Sequence, residues 1–168
     1  YFADYYEFMK KLLAGDAKAA LKLHSKVKAK LPDTAATVNG RECSDFCDTD
    51  SILSPFVEAF IHGRYVWVPI AAVRELTVTE PKTLFDLIWI QANITTWEGL
   101  TAGGYLPVLY PGSSSHENEQ IRTGRMTDWS QLGEGFYKGA GAHVFQTGER
   151  DTALLEIREA VFSYRKTA

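Results

Sequence analysis

The stretch FVEAFIHGRYVWVP, residues 56–69, decides how the chain is read. Two runs rich in apolar and aromatic residues flank His62-Gly63, and Gly63 is free to take the positive φ that a two-residue hairpin loop demands. His62 tolerates such a φ better than a β-branched residue does. The pattern is a β-hairpin. On its return arm Tyr65 and Trp67 share one face, Val66 and Val68 the other, and Pro69 ends the strand because it has no N–H to donate. Asn39-Gly40 in TVNGRE is a second turn signal.

Downstream, AAVREL is expected to make a helical turn or two and TVTE a short strand before Pro81. TLFDLIWI suits either a short buried helix or a strand. ANITTW and GGYLPVLYPG read as paired strands around a Gly-rich connection, and SSSHENEQ as a polar loop. In the tail TALLEIREAVFSY, alternation from Leu155 to Phe162 predicts a strand. Nothing alternates as βαβ. The expected fold is therefore α+β, with antiparallel strands and short helices.

Before Pro32 the texture is helical. Tyr5, Phe8, Leu12 and Leu13 recur at helical spacing, Gly15 is placed to stop the helix and Asp16 to cap the next. In that second helix Ala20, Leu23, Val27 and Leu31 share one face. Lys18, Lys22 and Lys26 lie on another, read as the solvated side, with an acid-binding face as the alternative. LLAGDAKAAL resembles the turn of a tetratricopeptide-like pair, which gains stability only by stacking on something else.

With 168 residues, 45% of them hydrophobic, the chain has enough apolar material for one domain with a helical appendage. A net charge of −3 argues against a dedicated nucleic-acid binder. Residues 1–31 hold seven Lys against three acidic residues, and the rest eleven basic against eighteen acidic. No apolar run approaches a membrane span, so no membrane insertion is expected, and no secretory leader is read at the start. The chain opens on Tyr1 without an initiator Met, which suggests a piece of something longer. Cys43 and Cys47, in CSDFC, lack a companion pair for zinc, and so few cysteines point to a reducing compartment.

Candidate chemistry is sparse. Asp48 and Asp50 form a D-x-D that could hold a hard cation, although such clusters more often make turns and caps. Ser113, Ser114 and Ser115 abut His116, but without the G-x-S-x-G of a nucleophile elbow. GEGFYKGAG lacks the order of a phosphate cradle and reads as a loop between elements. The four His stand singly, with no metal-ligand spacing and no pattern for a cofactor. What remains is a set suited to holding a partner: Tyr65, Trp67, Tyr110, Arg122, Arg125 and Trp129, residue types favoured at binding hot spots. Trp67 and Trp89 are also expected to fill the core.

At HGRYVWVP, LIWI and LPVLYPGS, and on through DTDSILSPFVEAF and RTGRMTDWSQLGEGFYKGAGAHVF, the chain resembles the family called ImpE (also SciE or TagJ). The likeness runs from about residue 38 to 162, with His62 where many relatives carry Asn. It implies residues 1–31 as the end of an N-terminal α-α superhelix, 32–50 as a connection, and 51–168 as the α+β domain. It also implies a non-enzymatic role in the bacterial cytoplasm, as an accessory of type VI secretion. The implied partners are the N-terminal helix of the sheath subunit TssB and, indirectly, the ClpV unfoldase that recycles the sheath.

Overall fold

Gly15 and Asp16 separate two helices, α1 (Phe2–Leu13) and α2 (Ala17–Lys28), in a computed structural model that describes residues 1–163. Gly15 takes φ +75°, a left-handed stop that costs glycine nothing, and Asp16 accepts from the Ala19 N–H at 3.2 Å as an N-cap. The helices lay their apolar faces on the rest of the chain. Tyr5 and Phe8 of α1 and Ala20 and Val27 of α2 join Phe56 and Phe136 in one buried cluster. The Phe8 ring meets Phe136 at 5.8 Å and Tyr5 meets Phe56 at 4.9 Å, both edge to face. The Tyr5 hydroxyl then donates to the Ile52 carbonyl at 2.7 Å. The pair thus finds its stacking surface within this chain.

Within 32–50, taken above as a connection, lie β1 (Ala36–Val38), β2 (Arg41–Cys43) and β3 (Phe46–Asp48). The predicted hairpin forms β4 (Phe56–Ile61) and β5 (Arg64–Pro69). It is followed by β6 (Val73–Val78), β7 (Trp89–Thr96) and β8 (Thr101–Pro107). A short helix α3 (Glu119–Arg122) leads to β9 (Thr127–Gly133), β10 (Phe136–Gly141), β11 (Val144–Thr147), β12 (Arg150–Ala153) and β13 (Glu159–Phe162). An eight-stranded sheet runs β2-β1-β13-β6-β7-β8-β4-β5, antiparallel throughout. A three-stranded sheet runs β12-β11-β3, and β9 and β10 pair alone. The α+β expectation is what the structure has.

Both turn signals act as read. Asn39 and Gly40 have φ of 48° and 78°, and His62 and Gly63 have 50° and 73°, the double positive φ of a type I′ loop. One face of the large sheet and the facing small sheet share the main core, where Phe46 stacks on Phe145 at 5.0 Å and meets Phe162 edge-on.

Four local readings are corrected. AAVREL is mostly strand: only a turn at Ile70–Ala72 precedes β6, which is pinned between β13 and β7 so that ladder pairing outweighs helix propensity. TLFDLIWI is neither helix nor strand alone, but a turn at Phe85–Leu87 followed by the start of β7. In the tail, a turn at Leu154–Glu156 delays the strand to Glu159. GEGFYKGAG is a hairpin, with Gly135 at positive φ in its turn and Phe136 anchored against Phe8. Trp67 and Trp89 are half-buried, and neither joins the main core as a buried residue.

Replacing Phe8 by Ala empties the seam between helices and sheets. The substitution should cost about 3–5 kcal/mol, read from urea unfolding, because it removes a fully buried ring that three other rings touch.

Candidate functional site

The densest polar constellation is inside the molecule. Asp48 ends β3, Glu58 sits mid-β4, and His143 occupies the two-residue step between β10 and β11; all three are buried. His143 Nδ1 stands 2.7 Å from Asp48 Oδ2, and Nε2 stands 2.9 Å from Glu58 Oε2. The first contact is a hydrogen-bonded ion pair. The second is as close but off-line for a hydrogen bond, so charge attraction carries it. Burial by itself pulls the His143 pKa down, but the two carboxylates outweigh it and the imidazole is pushed up to about 9. At neutral pH it is an imidazolium between two carboxylates.

The network reaches outward in both directions. Asp48 Oδ1 accepts from the Tyr110 hydroxyl at 2.7 Å, and that hydroxyl lies 3.1 Å from Thr49 Oγ1, which accepts from the Trp129 indole N–H at 3.0 Å. At the other end Glu58 Oε1 accepts from the Tyr65 hydroxyl, which accepts from the Trp67 indole N–H at 2.7 Å. One chain of contacts therefore links Trp67 and Tyr65 to Trp129 through the interior.

The candidates fare unequally. Tyr65 and Trp129 are 47% and 37% exposed, so their rings are presented while their polar atoms are held. Tyr110 is 2% exposed and cannot touch a partner; this corrects the sequence reading. Burial raises its hydroxyl pKa. Its ring lies where a Cβ on Gly139 would come within 2.5 Å, which explains one glycine of GEGFYKGAG as close packing rather than phosphate binding. Arg122 is spent on the polar loop, donating to the His116 and Glu117 carbonyls at 2.9 and 3.0 Å. Arg125 is exposed.

The enzyme candidates are also spoken for. Asp50 accepts from the N–H groups of Ile52, Leu53 and Gly139, the work of a turn cap. Ser113 is buried, donating to the Tyr110 carbonyl and accepting from the Gly141 N–H, while His116 accepts from the Asn118 N–H. Ser113 and His116 are thus not paired as nucleophile and base. No group of three or more potential metal ligands gathers among the described residues. A cleft of about 310 Å³ under α2, lined by His24, Ser51, Tyr137 and Gln146, reaches the backbone side of this region at Asp48 and Thr49.

Sequence reasoning missed Glu58 and His143. A signal existed: each is an ionisable residue inside an otherwise apolar run, VEAF and GAHVF, where a buried charge needs a partner from elsewhere in the chain.

Residues 40–161 match the family model described as ImpE protein. Over 148 residues the chain is 30% identical to the type VI secretion system accessory component TagJ of Pseudomonas aeruginosa, covering 88% of this chain and 51% of that protein. It thus spans about half the length of that curated relative. The crystal structure of protein VPA1032 from Vibrio parahaemolyticus has the same fold, with a TM-score of 0.86 at 21% identity, over 98% of this chain and 61% of that one.

The ion cluster sets a pH dependence. The folded pKa of His143, about 9, lies above its ordinary 6.5, so the stabilisation is full below 6.5 and is lost as pH rises through 9. Urea midpoints should fall over that window by an amount equivalent to roughly 3 kcal/mol. In His143→Gln the alkaline decline should vanish, and below pH 6.5 the variant should be roughly 3–5 kcal/mol less stable because two carboxylates are left buried together, a gap that narrows as pH rises through 9.

Proposed function

The chain belongs to the ImpE family, and from that premise we propose that it is a non-enzymatic accessory module of a bacterial type VI secretion system. It would act in the cytoplasm by holding the N-terminal helix of the sheath subunit TssB, and through it bear on sheath assembly or ClpV-dependent recycling. The matching TagJ protein is named an accessory component of such a system. The observation that carries the reading is the way the aromatics are held. Tyr65, Trp67 and Trp129 each have their polar atom tied to a network that ends on buried charges, while Tyr65 and Trp129 keep a third or more of their surface in solvent. Rings fixed in this way lose little rotamer freedom on docking, which favours a binding role.

The division into a helical pair, residues 1–31, and an α+β domain is proposed to be functional as well. The seam at Phe8, Phe56 and Phe136 would transmit contacts on the helices to the sheet that carries Tyr65. An alternative, a hydrolase or metal-dependent transferase using Asp48, Asp50 or the loop of Ser113 and His116, is disfavoured because those side chains are engaged in turns and ion pairs.

Calorimetric titration with a peptide of the TssB N-terminal helix tests the proposal. Binding should be measurable, and Tyr65→Ala and Trp129→Ala should each weaken it by roughly tenfold or more. A folded chain that takes up no sheath helix, alone or with the rest of the protein attached, would sink the sheath-adaptor role.

A further inference from the structure

Strand alternation gives the eight-stranded sheet two faces of opposite character. Val57, Ala59, Leu76, Ile90, Ile94 and Ala160 point into the main core. The register of the ladders defines what shares the other face. In one transverse row Tyr65 stands opposite Phe60, Phe60 opposite Tyr105, and Tyr105 opposite Gln91. Phe60 and Tyr105 are 38% and 44% exposed. Trp89 packs edge-on to Phe60 at 4.9 Å and Phe85 edge-on to Tyr105 at 5.9 Å, so the rings form one surface.

Farther along the same face the chemistry changes. Asn93 stands opposite Thr77 and Thr77 opposite Glu159. In the next row Thr95 faces Glu75, Glu75 faces Val161, Val161 faces Thr37 and Thr37 faces Glu42. The register positions of this face thus hold Glu58, buried against His143, and three outer carboxylates, Glu42, Glu75 and Glu159, with no Lys or Arg in register and the exposed Arg74 in the β6 bulge beside Glu75. None of the three makes a salt bridge with a described residue. An aromatic end on β5, β4 and β8 gives way to an acidic lane on β6, β13 and β2.

We propose that this face docks a cationic amphipathic helix lying across the strands. Its apolar residues would seat on Phe60, Tyr65 and Tyr105, and its Lys or Arg residues on Glu75 and Glu159. The inference rests on the accessory reading above and names the chemistry of the partner. The occupant is a helix because β4, β8, β7, β6 and β13, beneath most of this face, are internal, and of the residues it would seat on only Tyr65 stands on an edge strand. The backbone groups of the internal strands are taken by β-neighbours, leaving nothing to pair with an extended peptide, so a guest must satisfy its own backbone and be recognised by side chains. From β4 to β6 is three strand spacings, about 14 Å. Glu75 also lies two rows, about 13 Å, farther along the strands, so the separation between the apolar anchor and the basic cluster is a diagonal of about 20 Å, or roughly 13 residues of helix. The aromatic end supplies contact area, and the carboxylates supply steering and direction.

Two synthetic helical peptides of about 20 residues test this. Both carry the same Leu and Phe anchors at one end, and they differ only in having Lys or Glu about 13 residues on. The Lys peptide should bind roughly tenfold tighter than the Glu peptide, an advantage that should shrink at 1 M salt, where the Debye length is about 3 Å. Tyr105→Ala should weaken it roughly tenfold, and the pair Glu75→Gln with Glu159→Gln should erase the preference. These positions lie at the surface, and urea midpoints check that the variants remain folded. Equal binding of both peptides, or binding indifferent to Tyr105→Ala, would overturn the proposal. So would self-association of the chain that the paired Gln variant abolishes, since the face would then be an interface between copies. A TssB helix bound undiminished by these substitutions would overturn this placement and leave the accessory reading intact. A Lys peptide bound as expected beside an unbound TssB helix would do the reverse.

Discussion

An imidazolium between two carboxylates, out of water, is the contact around which the fold is arranged. Asp48 and Glu58 come from the successive strands β3 and β4, His143 from far along the chain beside β11, and none is tolerable where it sits without the others. Such a cluster is weak as a source of net stability, because desolvation offsets much of the attraction. It is strong as a constraint. A register slip in β3, β4 or β11 would strand a charge in the interior, so those strands are held in one alignment. Tyr110 extends the constraint by donating to Asp48 while its hydroxyl also accepts from the Val144 N–H, joining the end of the β8 segment to β11. Gly139 is small so that this ring can lie flat against the β9–β10 hairpin.

The surface inherits its order from that interior. Tyr65 is an edge-strand aromatic that would ordinarily swing freely, yet its hydroxyl is anchored on Glu58, and Trp67 is anchored on Tyr65. Trp129 is fixed through Thr49 in the same way. The helical pair covers only one corner of the large sheet, at Phe56 and Trp67, and leaves the aromatic row and the acidic lane in solvent. An antiparallel sheet commonly keeps one face in the core and the other in solvent, but here the solvent face carries the exposed rings of Phe60, Tyr65 and Tyr105. Such a face is natural in a component that is completed by assembly.

Much of the local structure was legible because it depends on neighbours in sequence. The type I′ loops at Asn39-Gly40 and His62-Gly63, the stop at Gly15 and the cap at Asp16 are short-range events, and the residues that make them are the residues that announce them. The misreadings fall where distant partners decide. AAVREL has helix-compatible residues but occupies a slot between β13 and β7. GEGFYKGAG reads as a loop because of its glycines, but Gly135 makes the hairpin turn, while Gly133, Gly139 and Gly141 let Leu21, Tyr110 and Met126 approach. Tyr110 itself resembled a surface hot spot until its hydroxyl was seen to close the buried network.

The sequence by itself determined the α+β class, the helical pair, the hairpins and the family likeness, because periodicity, turn chemistry and ordered motifs are properties of contiguous residues. Only the tertiary structure decided that His143 pairs with both Asp48 and Glu58, that Tyr110 lies inside, and that aromatics and carboxylates on separate strands share one open face. Those outcomes depend on register, and register is set by which strands meet, a relation between segments tens of residues apart that no local pattern encodes.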